Sequence, residues 1–493
     1  KEAFKMGMYT SVRNAVVSAW LWRVLRSMSR ETMLKVLDMV CTLNPGWRSN
    51  LAAAREFVEG EHPFYQWIMA MRRDLNPLAF HRFVRNAVFA NFVADRRQAD
   101  YEKERGAPPL SNVVISVTER CNLRCEGCWA AEYDKRDDLP YPLLDRIVRE
   151  LKEMRASFVT FTGGEPFMRA DILDLMEAHP DVFFQIYTNG TLITDAMADR
   201  LAKLGNAVPL VSINGFELDN DGIRGAGNFK AVSEAFDRLK ARGIFFGVSL
   251  TATSRNMNAM TDPAFYDWLI AKGAKLGWVF QYIPVGRTPS LELMISPEQR
   301  AALGQFVYAL RNSRPFFIAD FWNDGALVGG CMAGGKQYLH ITNRGDVEPC
   351  VFCHFSVDNI REKSLHEVIR SPFFTDIRNG IPYDGNLLRP CMMVDRPDVF
   401  RSHVQKHAPR PSHAGAESLV EGLAGGLDER AGRVRQVMDR VWHGGDFASF
   451  FTFDPRWYNA IPPADARAAA DTKAAGAGDG KPGGRIETAQ PVA

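Results

Sequence analysis

The stretch Cys121-Asn-Leu-Arg-Cys125-Glu-Gly-Cys128 packs three cysteines into eight residues. Three thiolates that close can converge on one metal centre, and they are too tightly spaced for a disulfide framework. Cysteine thiolates are the usual ligands of iron–sulfur clusters, which normally take four, so three from one loop leave one iron open to an exogenous ligand. A tetrahedral zinc site wants a fourth protein ligand nearby, and no His or Cys lies within the next thirty residues. The spacing favours iron–sulfur and leaves zinc as the alternative.

Immediately before this loop, Val113–Val117 is a short apolar run of the kind that forms a strand buried on both faces. Similar runs follow at Phe158–Thr162, Phe183–Tyr187, Pro209–Ile213, Phe245–Thr251 and Gly277–Tyr282. Helical stretches separate them, among them Pro142–Met154, Thr194–Leu204, Phe229–Ala241 and Pro263–Lys272. Six strand–helix units in series imply an α/β fold with a parallel sheet and right-handed crossovers. In barrels of this kind the chemistry sits on loops at the carboxyl ends of the strands.

The unusual residues fall at those ends. Gly163-Gly164-Glu165-Pro166 follows the second strand, Tyr187-Thr188-Asn189-Gly190 the third, Ser212-Ile213-Asn214-Gly215 the fourth and Pro284-Val285-Gly286-Arg287 the sixth; Arg224 stands in Ile-Arg-Gly. In this order the motifs resemble the radical S-adenosylmethionine superfamily, whose signature is C-x3-C-x2-C after the first strand of a partial (β/α)6 barrel. The resemblance spans about residues 111–290. It implies a 4Fe–4S cluster on Cys121, Cys125 and Cys128, with S-adenosylmethionine as cofactor. It also implies cofactor contacts from Gly163, Gly164, Glu165 and Pro166, from Asn189, Ser212, Asn214 and Arg224, and from Pro284 and Gly286. A carboxylate such as Glu165 is a sensible partner for the methionine ammonium. Two departures stand out: Gly127 replaces the aromatic residue that precedes the last cysteine in many members, and Asn214 replaces an Asp. The implied reaction is reductive cleavage of S-adenosylmethionine to a 5′-deoxyadenosyl radical, which abstracts hydrogen from substrate; flavodoxin or ferredoxin would supply the electron.

Cys331, Cys350, Cys353 and Cys391 form a second group. With Gly345 between the first two, they resemble the SPASM and twitch extensions of the same superfamily, which implies one auxiliary 4Fe–4S cluster with a full ligand set. Cys350-x2-Cys353 is also a zinc-knuckle spacing, so zinc stays open. Cys41, in the apolar run Val36–Leu43, reads as a core residue.

Around these units, residues 1–108 read as a helical amino-terminal region, 109–315 as the partial barrel and 316–400 as the small iron–sulfur unit. Residues 401–461 read as linker and short helical unit, and 462–493, rich in Ala, Gly and Pro, as a disordered tail. The histidines His403, His407 and His413 fall in the linker. In the first region, Val16–Met28 and Leu78–Val93 have apolar faces edged by arginine. Residues 1–100 carry fifteen basic against nine acidic side chains, a local excess of six. They read as a cap on the barrel, with an interfacial, membrane-touching role as the sharper alternative.

A net charge of +2 over 493 residues argues against a dedicated nucleic-acid binder. No apolar stretch approaches the ~20 residues of a membrane span, and the opening residues show no secretory leader pattern. A reducing, cytoplasmic setting, peripheral at the membrane if the first helices touch it, is the expectation. For substrate, a lipid or small molecule leads and peptide or protein maturation comes next. The alternative from another class is a non-catalytic zinc- or iron–sulfur-binding interaction protein. Ser249, Thr251, Gln281 and Tyr282 lie on strands five and six with an even chance of facing inward. Asp320, Trp322 and Asp324 read as an ordinary polar loop.

Overall fold

The computed structural model describes residues 29–43, 48–89 and 100–443. Helices come first: α1 (Arg30–Leu43), α2 (Arg48–Glu59), α3 (Pro63–Asp74) and α4 (Pro77–Arg82), the last running into a π-helical turn over Phe83–Phe89. Proline at the first position of α3 and α4 removes an N–H that a helix start leaves unpaired anyway. The residues before them cap: the Phe64 amide donates to His62 Nδ1 and the Ala79 amide to Asn76 Oδ1.

These helices close the barrel's floor. Trp67, Met71, Leu75, Phe80 and Val84 form one cluster with Phe183, Val208, Phe245 and Leu276, which sit at the amino ends of strands or just before them. Each large side chain so buried contributes roughly 1.5–3 kcal/mol. Trp67 Nε1 donates to the Lys275 carbonyl at 2.6 Å. For residues 63–89 the cap reading therefore describes the structure. Val16–Met28, the end of the second amphipathic stretch at 90–93, the side chain of Cys41 and the tail 462–493 lie outside the described residues.

The barrel alternates as its apolar runs dictate: β1 (Asn112–Thr118), α5 (Tyr141–Glu153), β2 (Phe158–Gly163), α6 (Asp171–Ala178), β3 (Phe183–Thr188), α7 (Asp195–Leu204), β4 (Ala207–Ser212), α8 (Glu217–Arg224), α9 (Asn228–Ala241), β5 (Gly247–Ala252), α10 (Pro263–Ala271), β6 (Leu276–Gln281) and α11 (Pro297–Arg311). Neighbouring strands pair in parallel, with Ile115 opposite Phe161 and Val211 opposite Val248. A seventh parallel strand, β7 (Phe317–Asp320), pairs with β6 through Leu276 and Phe317. The residues read as opening the third unit thus belong to the sheet: Phe316 and Ile318 bury against it, and only four residues extend.

The carboxyl-terminal unit adds β8 (His340–Ile341), β9 (Asp346–Glu348), β10 (Phe355–Ser356), β11 (Asp358–Asn359), α12 (Pro372–Asn379), α13 (Pro397–His407), β12 (Arg410–Pro411) and α14 (Ala424–His443). It is not hung on a tether. β8 pairs in parallel with β1, so the sheet runs β11-β9-β8-β1-β2-β3-β4-β5-β6-β7 without a break. Arg300 of α11 also forms a fully buried ion pair with Asp395, and donates to the Leu388 carbonyl. The linker reading of 403–413 is corrected up to His407: His403 and His407 lie in α13, which starts at Pro397 and buries Phe400 and His403 on one face.

Candidate active site

Strand ends place the chemistry. Cys121, Cys125 and Cys128 follow β1 and open onto a cavity of about 400 Å³ at the carboxyl ends of the strands. Two other strand ends hold the cysteine loop. Gly164 and Glu165 donate from their amides to the Thr118 and Arg120 carbonyls, both at 2.8 Å. A Cβ on Gly164 would stand 2.3 Å from the Arg120 oxygen, so only glycine permits this approach. From the β6 side, Arg287 donates from its amide to the Cys128 carbonyl at 3.0 Å and from Nη1 to the Cys125 carbonyl at 2.8 Å.

Six of the ten residues expected to meet the cofactor line this cavity: Gly163, Gly164, Asn189, Ser212, Asn214 and Arg224. Arg224 Nε donates to Asn214 Oδ1 at 2.6 Å, which fixes the guanidinium at the cavity wall. Asn189 reaches the Cys121 sulfur at 3.8 Å and Asn122 Oδ1 at 2.8 Å. The other four sit behind that wall. Glu165 is fully buried and its carboxylate accepts from the amides of Phe167 and Asn189 and the hydroxyl of Thr188, at 2.7–3.1 Å, so it ties the end of β2 to the end of β3. Burial pushes its carboxyl up to about 6, and those donors pull back toward the ionised form. Pro166 starts the short turn behind it. Gly286 backs the cysteine loop, where a Cβ would stand 2.3 Å from the Cys128 oxygen, and Pro284 is buried two residues before it.

Of the residues left unassigned on strands five and six, Ser249, Thr251, Gln281 and Tyr282 all face the cavity. Sequence reasoning missed Trp278, Phe280, Phe321 and Phe352, which give it an aromatic lining, and Arg255, which pairs with Glu126 at its lip. The alternation of Trp278 and Phe280 on β6 was the available signal. Asp320, Trp322 and Asp324 do not reach this cavity. Asp320 accepts from the amides of Trp322 and Asn323, and Asp324 pairs with Arg311.

The second cysteine group gathers where the loops of the carboxyl-terminal unit meet. Cys331, Cys350 and Cys391 line one small apolar pocket, and Cys353 bridges to Cys350 through the backbone. The Tyr338 hydroxyl shares a hydrogen bond with the Cys350 sulfur at 3.2 Å, and the Ala333 amide donates to Cys331 at 3.4 Å. Burial, then repulsion between neighbouring thiols, raises Cys128 to about 11 and Cys331 to about 12. Thiolates there need positive charge among them. A single tetrahedral zinc would draw thiolates to about 3.8 Å of one another, the edge set by bonds of about 2.3 Å. Among the described residues, no group of three such side chains that includes a cysteine has its ligand atoms within even 4.8 Å of one another.

Comparison with known proteins agrees with this geometry. Residues 115–258 match the radical SAM superfamily, and residues 331–396 match the SPASM iron–sulfur cluster-binding domain. The chain is 30% identical over 358 residues to the mycofactocin maturase MftC of Mycobacterium tuberculosis, covering 62% of this chain and 89% of that one. It is 26% identical over 318 residues to the AdoMet-dependent heme synthase of Oleidesulfovibrio alaskensis, covering 57% and 80%. Its fold is similar to that of SuiB of Streptococcus suis, solved with S-adenosylmethionine bound, at a TM-score of 0.52 and 19% identity over 70% of this chain and 84% of that one. The chain belongs to the radical S-adenosylmethionine superfamily, in the branch that carries a SPASM domain. It is an enzyme of that superfamily, with 4Fe–4S clusters and S-adenosylmethionine as its cofactors. Among the described residues, no helix is long and apolar enough to cross a membrane.

Proposed function

We propose that this chain reductively cleaves S-adenosylmethionine at a cluster held by Cys121, Cys125 and Cys128, and turns the resulting hydrogen abstraction on a small, largely apolar substrate. One observation carries the reading: the three thiols and six expected cofactor residues open onto a single cavity. When bound, the cluster and S-adenosylmethionine supply one-electron cleavage of the sulfonium and a carbon-centred radical. The chain's own residues do the rest. The backbone of Gly163 and Gly164 receives the amino group, with the Glu165 charge behind it. Arg224, steadied by Asn214, faces the carboxylate, and Ser212 stands near the ribose.

Cys331, Cys350, Cys353 and Cys391 hold the auxiliary cluster in a closed shell, and flavodoxin or ferredoxin is the electron donor. The aromatic lining from Trp278, Phe280, Phe321 and Phe352 excludes water and suits an apolar substrate. Peptide or protein maturation is the second reading, and the likeness to a maturase supports it.

The test is anaerobic. The protein is reconstituted with iron and sulfide, reduced with dithionite and assayed for 5′-deoxyadenosine from S-adenosylmethionine, beside Cys125→Ala. Formation in the parent and loss in the variant is the expected result. Tightly bound zinc in place of iron, with no cleavage, would favour a non-catalytic binding protein instead.

A further inference from the structure

Asp376 on α12 faces His403 and His407 on α13. The two histidines are four residues apart, which sets them on one face of the helix. One ligand atom from each of the three side chains lies within 4.8 Å of the other two. His407 Nε2 is 2.9 Å from Asp376 Oδ2, and His403 Nδ1 is 3.4 Å from the same oxygen.

His403 is the informative member. It is 7% exposed, and its Nε2 has no hydrogen-bond partner. Its Nδ1 stands beyond the ordinary N–H···O range from Asp376. A buried imidazole with no partner on Nε2 and only a long contact at Nδ1 is costly. The 3.4 Å separation is nevertheless the edge of a tetrahedron with bonds of about 2.0–2.1 Å, the length of zinc bonds to imidazole and carboxylate. His407 needs to open by only a few tenths of an ångström to match. Lys406 Nζ now sits 2.9 Å from both Asp376 oxygens, on a side chain that is 62% exposed and free to swing into water. The ring of Phe373 walls one side of His407.

We infer that Asp376, His403 and His407 form a binding site for a divalent zinc ion that clamps α12 to α13, with water at the fourth position. No cysteine takes part, so the site is separate from both cysteine groups. Binding displaces the Lys406 ammonium from the carboxylate and uses both imidazoles in their neutral form. Because Asp376, His403 and His407 converge only in the folded chain, an ion held by all three adds stability by mass action.

The experiment uses the full cluster-loaded chain, kept anaerobic, with one equivalent of zinc chloride followed by dialysis. Zinc content, zinc-edge X-ray absorption and iron content are read together. The expected result is one zinc retained per chain, with nitrogen and oxygen neighbours at about 2.0–2.1 Å, no sulfur at about 2.3 Å, and iron unchanged. The His403→Ala, His407→Ala double variant loses the zinc at least tenfold more readily, while Lys406→Met holds it severalfold more tightly because the competing ammonium is gone. If the double variant does not fold, Asp376→Asn and the gain in Lys406→Met decide. Zinc bound through sulfur, equal retention in every variant, or no retention at all would overturn the site.

Discussion

The ring of Tyr282 fills the space that a side chain at Gly127 would need: a Cβ built on Gly127 meets Tyr282 Cε2 at 2.7 Å. Gly127 also has φ +62°, which glycine adopts without strain. The Ser290 amide holds the Tyr282 hydroxyl at 3.2 Å, and the ring faces the cavity. Gly127 stands where many members of the superfamily carry an aromatic residue, and the space beside it is taken by the ring at the end of β6. Base–aromatic stacking is worth about 1–3 kcal/mol, so Tyr282→Ala is expected to weaken S-adenosylmethionine binding about tenfold, and Tyr282→Phe by about twofold or less. Isothermal titration of cluster-loaded protein checks this, with iron content as the control. Equal affinity in Tyr282→Ala would show that the ring does not touch the cofactor.

Arg287 is the next test, because two of its groups hold the cysteine loop through the Cys125 and Cys128 carbonyls. Arg287→Ala removes a charged donor worth about 1.5–3 kcal/mol from a half-buried carbonyl. The loop then opens more often, and a chelator should strip iron from the first cluster severalfold faster while the auxiliary cluster keeps its own rate. Mössbauer spectra of the two sites, followed over time, separate the rates. Unchanged stripping would mean that the loop is held without this residue.

Asp320 gives a pH dependence whose sign is fixed. Burial lifts its carboxyl from 3.8 to about 6, with Asp324 adding to the shift, although two amides and the Asn323 side chain favour ionisation. The native state therefore holds this proton more tightly than the unfolded chain does. Its contribution is full below pH 4 and is lost as pH rises through about 6, a change of roughly 3 kcal/mol. Asp320→Asn keeps an oxygen for the Trp322 and Asn323 amides and gives up only the Asn323 Nδ2 donation to Oδ2. The variant should melt a few degrees above the parent at pH 7.5, with the gap closing toward pH 5. A gap independent of pH would sink the assignment.

Much of this was legible along the chain, and what was not has physical reasons. The six long strands are apolar runs buried on both faces, so composition marks them, and helix ends such as Thr194 and Gly205 carry their own caps. β7 has only four extended residues and depends on pairing with β6, which no local pattern reveals. The cysteines and the Gly163-Gly164 pair announce themselves by residue type. The direction of Glu165 does not, because it is set by donors on β3, more than twenty residues away. His403 and His407 were hidden by their neighbours. A stretch rich in histidine looks like linker until α12 supplies a face for it.

The seam between the barrel and the SPASM unit makes the last prediction. Glu348, on β9 two residues before Cys350, is fully buried. The Tyr133 hydroxyl donates to both of its oxygens at 2.8 and 3.0 Å, and His340 Nδ1 lies 2.6 Å from Oε2. His340 Nε2 pairs with the Ser116 hydroxyl on β1 at 2.9 Å. One chain of contacts thus joins β1, the segment after the cysteine loop, β8 and β9. Because β8 contributes only two residues to its pairing with β1, side chains must supply much of the hold. Glu348→Ala strands the Tyr133 hydroxyl and the His340 ring, at about 1–3 kcal/mol each. Hydrogen exchange should rise at both 112–118 and 338–348, and the auxiliary cluster should lose iron sooner. Glu348→Gln should recover most of the protection, since His340 can change tautomer and accept at Nδ1 while it donates from Nε2 to Ser116. If exchange in β1 does not change in Glu348→Ala, backbone pairing alone holds the seam.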